Sequence, residues 1–238
     1  MAHHILEGLE LRKSFGGVQA LKGVSLHLKE GEFLGIVGGN GAGKTTLFNI
    51  ISGILPPDNG SLTLTLKGKT FSGIGKSPCA LARAGVCRTF QNLRLFQNLT
   101  VEEHLLLSPK KEAVISPQKL LEITKLTPFR SCFPTTLSYP DRRKLELIRA
   151  ISTGGSLLLL DEPAAAMTPA ESTSLIWSIR QIAEILPYPL SILVIEHNMA
   201  FIRQLCDRIY AMEEGTILAG GNCDTVLSNP TVQKALFG

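Results

Sequence analysis

No two of the five cysteines in this 238-residue chain stand at a C-x-x-C spacing, and their number is odd. Cys79, Cys87, Cys132, Cys206 and Cys223 therefore spell neither a disulfide framework nor a zinc site, and a reducing cytosol is the expected compartment. Long apolar runs are missing too. The longest uncharged stretch toward the C-terminus, Ile185 to Ile195, includes Pro187 and Pro189 and falls far short of the ~20 residues of a membrane helix. A basic-then-apolar signal pattern is absent from the N-terminal residues. Strong charge of one sign is lacking as well. A formal net charge of +4 fits a nucleotide-binding protein as well as weak contact with nucleic acid or an anionic membrane surface, so charge does not choose the partner. With 44% hydrophobic and 18% charged residues the chain is globular, and its length allows one α/β domain or two small ones.

What is present begins with Gly38, Gly39, Asn40, Gly41, Ala42, Gly43, Lys44 and Thr45, with Thr46 following, directly after the apolar run Phe33 to Val37. A strand that ends in a glycine-rich turn and opens a helix aims several backbone N–H groups at one point. The helix N-terminus adds roughly half a positive charge there. Gly38, Gly41 and Gly43 permit close backbone approach and positive φ. Lys44 can reach the β- and γ-phosphates of a nucleoside triphosphate, while the Thr45 hydroxyl ligates Mg²⁺.

Around this loop the patterning divides the chain. Ile5 to Leu11, Val24 to Leu28 and Leu62 to Leu66 alternate apolar and polar residues, as half-buried antiparallel strands do. From Val101 to Leu126 the pattern is helical, with Ser116 as an N-cap, Pro117 at the first helical position, and Leu120, Leu121, Ile123 and Leu126 as an apolar face. Leu157 to Leu160 and Ser191 to Ile195 are short apolar runs suited to parallel strands covered on both faces, and the helical segment Pro169 to Leu186 joins them into a β-α-β unit. The tail shows β signals at Ile209 to Met212 and Thr216 to Leu218 around a Glu214-Gly215 turn, then a short helix. The expectation is one nucleotide-binding unit over 1–238 with a helical insertion near 92–145. Its fold class is α/β, a phosphate-loop core on a parallel sheet with an antiparallel β subdomain at the N-terminus.

Three of the apolar strands end in chemistry. One runs into the phosphate loop, one into Asp161-Glu162 and one into Glu196-His197. Ligands of parallel α/β sheets sit at the carboxyl ends of their strands. There Asp161 can hold Mg²⁺, Glu162 can polarise an attacking water, and His197 can face the γ-phosphate. Gln91, after Val86 to Phe90, could touch metal and water, although the residues alone do not separate it from Gln97.

The order of these motifs, with Leu137-Ser138 opening a helix before Leu-Leu-Leu-Leu-Asp-Glu-Pro, resembles an ATP-binding cassette (ABC) subunit over essentially the whole chain. Arg88-Thr89-Phe90-Gln91-Asn92, Arg94-Leu95-Phe96, Asp161 to Ala165, Val194 to Asn198, and Asn229-Pro230 ahead of Leu236-Phe237-Gly238 resemble the branched-chain amino-acid import branch. Cassettes exporting lipid-linked products share much of this pattern.

The resemblance implies an ATPase that binds ATP and Mg²⁺ and drives transport. Phe15 would stack on adenine, Gly38 to Thr46 would hold the phosphates, and Thr45, Gln91 and Asp161 would hold the metal. Glu162 would be the catalytic base, His197 the switch histidine, and Ser138 the nucleotide contact of the signature loop. Polytopic permease subunits and a second ATP-binding subunit are the implied partners, with no nucleic acid; the departure at Pro140 favours a heterodimer over a homodimer. The implied place is the cytoplasmic face of the inner membrane, bound peripherally. A soluble cassette ATPase acting on ribosomes or DNA is the alternative, but such proteins usually carry two cassettes or a long coiled coil.

The signature loop departs from the family pattern. It reads Leu137-Ser138-Tyr139-Pro140-Asp141 where this branch has Ser-Tyr-Gly-Gln, and Pro140 has no backbone N–H to offer a γ-phosphate. Ser138 and Asp141 are expected to form a capping box that keeps the helix start. After Pro163 the chain reads Ala166-Met167-Thr168 where the branch has Gly-Met-Asn. The helical insertion is also shorter than is usual in the branch.

Overall fold

The computed structural model describes residues 4–107 and 115–237. Gly238 of the closing motif, and the middle of the Val101 to Leu126 stretch, lie outside the described residues. Strands β1 (His4–Phe15), β2 (Val18–Lys29), β4 (Asn59–Leu66) and β5 (Lys69–Ser72) form an antiparallel sheet in the order β2-β1-β4-β5. In β2 the buried positions Leu21, Val24, Leu26 and Leu28 all face the core.

A second sheet runs β10-β9-β3-β8-β7-β6. It is built from β3 (Phe33–Gly38), β6 (Val86–Arg88), β7 (Leu157–Asp161), β8 (Ser191–Ile195), β9 (Arg208–Glu213) and β10 (Thr216–Gly221). All neighbours pair in parallel except β10 with β9. Strands β3, β7 and β8 are buried along their whole length, and their side chains alternate between two cores. Leu34, Ile36, Leu157, Leu159, Leu193 and Ile195 face the antiparallel sheet and helix α1 (Lys44–Ile51). Val37, Leu158, Leu160, Ile192 and Val194 face the helices on the other side. Each such leucine or isoleucine removed from water is worth about 2 kcal/mol, which fixes these strands at the centre.

On that second side lie α5 (Tyr139–Ser152), α6 (Pro169–Ile185) and α7 (Met199–Leu205). The chain between β6 and α5 holds α3 (Val101–Leu106), α4 (Pro117–Thr124) and 3-10 turns at Thr127–Phe129 and Pro134–Thr136. Ser116 caps α4 with Pro117 at its first position, as the sequence predicts. The helix stops earlier than the apolar pattern, because Lys125 takes a left-handed conformation with φ 60°. Leu126 is nonetheless fully buried, so it belongs to the core but not to the helix.

Helix α7 has no counterpart in the sequence reading, and two further elements are absent from it. Strand β5 is short and polar, and α2 (Pro78–Ala84) buries only Leu81. The single expected terminal helix is two, α8 (Cys223–Leu227), capped by Asn222, and α9 (Pro230–Phe237). Among the described residues no helix is long and apolar enough to cross a membrane.

Candidate functional site

The turn from β3 into α1 owes its shape to two contacts. A Cβ on Gly38 would lie 2.4 Å from the Met212 carbonyl oxygen, so only glycine lets β3 and β9 pair this closely at their ends. Gly43 caps α1 at φ 97°, and a Cβ there would meet the Ala20 carbonyl oxygen at 2.5 Å. Lys44 follows as the first helical residue, 6% exposed, and its ammonium donates to the carbonyls of Gly38 (2.7 Å) and Gly39 (2.8 Å). Burial lowers the Lys44 pKa, and the carboxylates of Glu162 and Asp161 oppose that shift. The loop is a positively charged cradle with its cation folded over it.

A cavity of about 290 Å³ opens above this turn. Asn40 to Thr46 form its base, and Phe15, Glu162 and His197 stand on its walls. Phe15 is 48% exposed at the end of β1, outside the core and available for stacking.

Glu162 follows directly on β7. Its backbone N–H donates to the Ile195 carbonyl at the end of β8, and its φ of 47° is left-handed. That conformation costs a non-glycine residue about 1 kcal/mol or more. Its carboxylate is gripped on both oxygens. Gln91 Nε2 donates to Oε2 at 3.0 Å, and His197 Nε2 lies 3.0 Å from Oε1. Residues 71 and 35 positions apart in sequence thus meet on one carboxylate. Gln97 turns away, its amide donating to the Leu95 carbonyl.

Asp161 is buried at the last position of β7 and pairs with Arg88 at 3.0 Å. Thr45, Gln91 and Asp161 offer a hydroxyl, an amide and a carboxylate, the hard oxygen donors that suit Mg²⁺ beside phosphate oxygens. Among the described residues no cluster of three His, Cys, Asp or Glu side chains forms a metal cage. A cation that keeps waters and borrows phosphate ligands requires none. The donor set fits the ion.

Ser138 lies elsewhere. It caps α5, accepting from the Asp141 N–H and donating its own hydroxyl to the Asp141 carboxylate at 2.6 Å. This corrects the expected capping box, in which the Ser138 backbone N–H would also donate to the Asp141 carboxylate. Pro140 sits at the second helical position of α5, where a missing N–H leaves no broken bond within the helix.

Three braces escaped the sequence reading. Arg143, 1% exposed on α5, donates to the carbonyls of Phe90, Gln91 and Glu162 and to the Glu146 carboxylate. Glu196, 3% exposed, accepts from the backbone N–H groups of Ala164, His197 and Asn198. Arg88 reaches Asn49 and Ser52 on α1 as well as Asp161. Together they tie the Gln91 segment, the Glu162 turn, the His197 turn and the phosphate-loop helix into one frame. An acidic residue immediately after a buried parallel strand was the available signal for Glu196. For the two arginines nothing in the local pattern marked them as buried.

The ABC transporter family profile matches residues 21–165. The high-affinity branched-chain amino acid transport ATP-binding protein LivG of Salmonella typhimurium is 35% identical, over 98% of this chain and 96% of that protein. The corresponding protein BraF of Pseudomonas aeruginosa is 34% identical, over 100% and 99%. Among solved structures, the ADP conformation of an ATP-binding cassette of an ABC transporter superposes with a TM-score of 0.85 at 29% identity, covering 99% of both chains.

Proposed function

The chain belongs to the ABC transporter family, and on that premise we propose that it is the ATP-hydrolysing motor subunit of an amino-acid importer of the branched-chain type. The observation that carries this reading is the Glu162 carboxylate, held between Gln91 and His197 beside the Lys44 cradle. ATP would lie with its adenine on Phe15 and its phosphates along Gly38 to Thr46. Lys44 would exchange the Gly38 and Gly39 carbonyls for the β- and γ-phosphate oxygens. Thr45, Asp161 and Gln91 would hold Mg²⁺, which when bound neutralises charge developing on the transferred phosphoryl group. Glu162 accepts the proton of the attacking water, and His197 orients that carboxylate and can donate toward the γ-phosphate.

In one chain this cavity is open to solvent, and Ser138 is not among the residues that line it. That supports closure by the signature loop of a second ATP-binding subunit. Polytopic permease subunits would dock on the segment after Gln91, where Phe96, Leu106 and Leu107 are all more than half exposed. The subunit would then sit peripherally on the cytoplasmic face of the inner membrane.

The pair is asymmetric in this reading. The loop this chain offers its partner has Pro140 in the first turn of α5 and a Ser138 hydroxyl already committed to Asp141. A lost charge-assisted hydrogen bond costs roughly 1.5–3 kcal/mol, so the partner's ATP should turn over about ten- to a hundredfold more slowly than ATP at Lys44. Site-resolved turnover in the reconstituted transporter tests this, using catalytic-glutamate variants of each subunit with and without Pro140→Gly. Pro140→Gly should raise hydrolysis at the partner's site alone. Equal rates at both sites in the unmodified complex would refute the asymmetry.

A further inference from the structure

Between Asp58 and Glu102 the chain runs 43 residues without a carboxylate side chain while carrying Lys67, Lys69, Lys76, Arg83, Arg88 and Arg94. Taking those six from the 24 Lys and Arg leaves 18 against 20 Asp and Glu, so the rest of the chain is acidic by two. This one segment holds the entire positive excess. The fold then sorts the six. Arg88 turns inward to Asp161, and Arg94 lies over the Phe90 ring, 4.1 Å from its centroid. The other four converge. Lys67 and Lys69 at the β4–β5 turn, Lys76 on the loop beyond, and Arg83 on α2 line one open groove of about 360 Å³ floored by Leu66 and Phe71.

All four are exposed, and none of the described residues lining the groove is acidic. Lys69, Lys76 and Arg83 make no ion pair among the described residues. Four like charges gathered over an apolar floor repel one another and focus a positive potential into the groove, which an anion relieves. The floor adds a preference. Lysine and arginine stems lie along apolar surface while their heads stay in water, an arrangement that suits a phosphate attached to an apolar body. Phe71 is half-buried in the floor, so no ring stands clear for base stacking, which disfavours single-stranded nucleic acid. The other face of α2, through Pro78, Leu81 and Ala82, borders a hollow shared with Arg88 and Phe90, next to the Gln91 segment. Helix α2 thus stands between the groove on one face and, on its other face, the hollow that leads to the Gln91 segment.

We propose that this groove binds the anionic headgroup of a membrane phospholipid, so that the subunit grips the lipid surface as well as the permease. Its placement beside the membrane rests on the transporter reading, while the binding itself does not. Each basic residue close to an anionic membrane surface strengthens partition about fivefold, so Lys69, Lys76 and Arg83 give about a hundredfold over a neutral membrane.

Cosedimentation of the full chain with vesicles tests it. Vesicles of phosphatidylglycerol mixed into phosphatidylcholine should bind the protein, pure phosphatidylcholine should not, and added salt should release it. Lys69→Glu/Lys76→Glu/Arg83→Glu should weaken binding by about a hundredfold or more. The milder Lys69→Gln/Lys76→Gln/Arg83→Gln should shift it in the same direction if the first variant folds poorly. Lys119→Glu/Arg203→Glu/Lys234→Glu changes net charge equally and should retain most of the binding. Equal losses in the groove and control variants, or equal binding to both vesicle types, would overturn the proposal. So would displacement by inorganic phosphate but not by chloride at equal ionic strength, which would assign the groove to a soluble phosphate. Phosphate release from MgATP by the groove variant, expected at the wild-type rate, reports on the motor assignment separately.

Discussion

His197 Nε2 and Glu162 Oε1 lie 3.0 Å apart at the ends of two adjacent parallel strands, β8 and β7. Against an ionised carboxylate the imidazole nitrogen is the donor, so the histidine fixes where the carboxylate points. Gln91 fixes the other oxygen. His197→Ala leaves Glu162 with one tether and removes a donor from the γ-phosphate side of the cavity. Loss of one such preorganised donor costs about a hundredfold in turnover. Phosphate release should fall by that factor while nucleotide affinity, read with a fluorescent ATP analogue, stays within a few-fold. Undiminished turnover would mean that Glu162 is positioned without His197.

Ala166 adopts φ 58° and is exposed, at the position where the branch-type sequence has glycine. A left-handed alanine costs about 1–2 kcal/mol, of which glycine returns part through its greater freedom in the unfolded chain. Ala166→Gly should therefore stabilise the protein by about 0.5–1 kcal/mol, or roughly 2 °C in thermal midpoint. A drop in the midpoint would show that the methyl group contributes more than the backbone strain costs.

His104 is fully buried on α3, with Nε2 accepting the Phe96 N–H at 3.0 Å and Nδ1 donating to the Thr100 carbonyl at 2.7 Å. Burial lowers its pKa, the Thr100 carbonyl opposes the shift, and Arg149 adds to it. A folded-state value below the unfolded one means that the native protein binds fewer protons. The stability is thus fully present above about pH 6.5 and is lost as pH falls through the lower folded value. Protonation of Nε2 would also break the bond to Phe96, on the segment assigned to the permease. Urea midpoints above and below that pH should fall on acidification, and His104→Gln should flatten the fall. An unchanged slope in the variant would place the acid sensitivity elsewhere.

The central strands were legible because burial on both faces leaves continuous apolar runs, and the residues just past Val37, Leu160 and Ile195 stood out as the candidates for chemistry. Gln91 was legible only as a candidate, since the choice between it and Gln97 rests on which amide meets a carboxylate 71 positions away. Strand β5 and helix α2 were missed for the opposite reason. They bury so little that no period appears, even though Ser77 and Pro78 form an ordinary helix start. The buried arginines were invisible in principle. Arg143 has mainly backbone carbonyls as partners, and these carry no side-chain signature in sequence. Leu126 shows the limit of periodicity, since it obeys the apolar pattern after the helix has ended at a left-handed lysine.

The claim that Glu162 is the base for ATP held at Lys44 is met most directly by Glu162→Gln. The amide keeps the shape and can still meet Gln91 and His197, but it cannot accept the proton of the attacking water. Proton transfer by a positioned side chain contributes about 10²–10⁴ to a rate. Phosphate release at the Lys44 site of the assembled transporter, measured together with bound nucleotide, should fall within that range while ATP stays bound. Release near the wild-type rate with normal ATP occupancy would contradict the account.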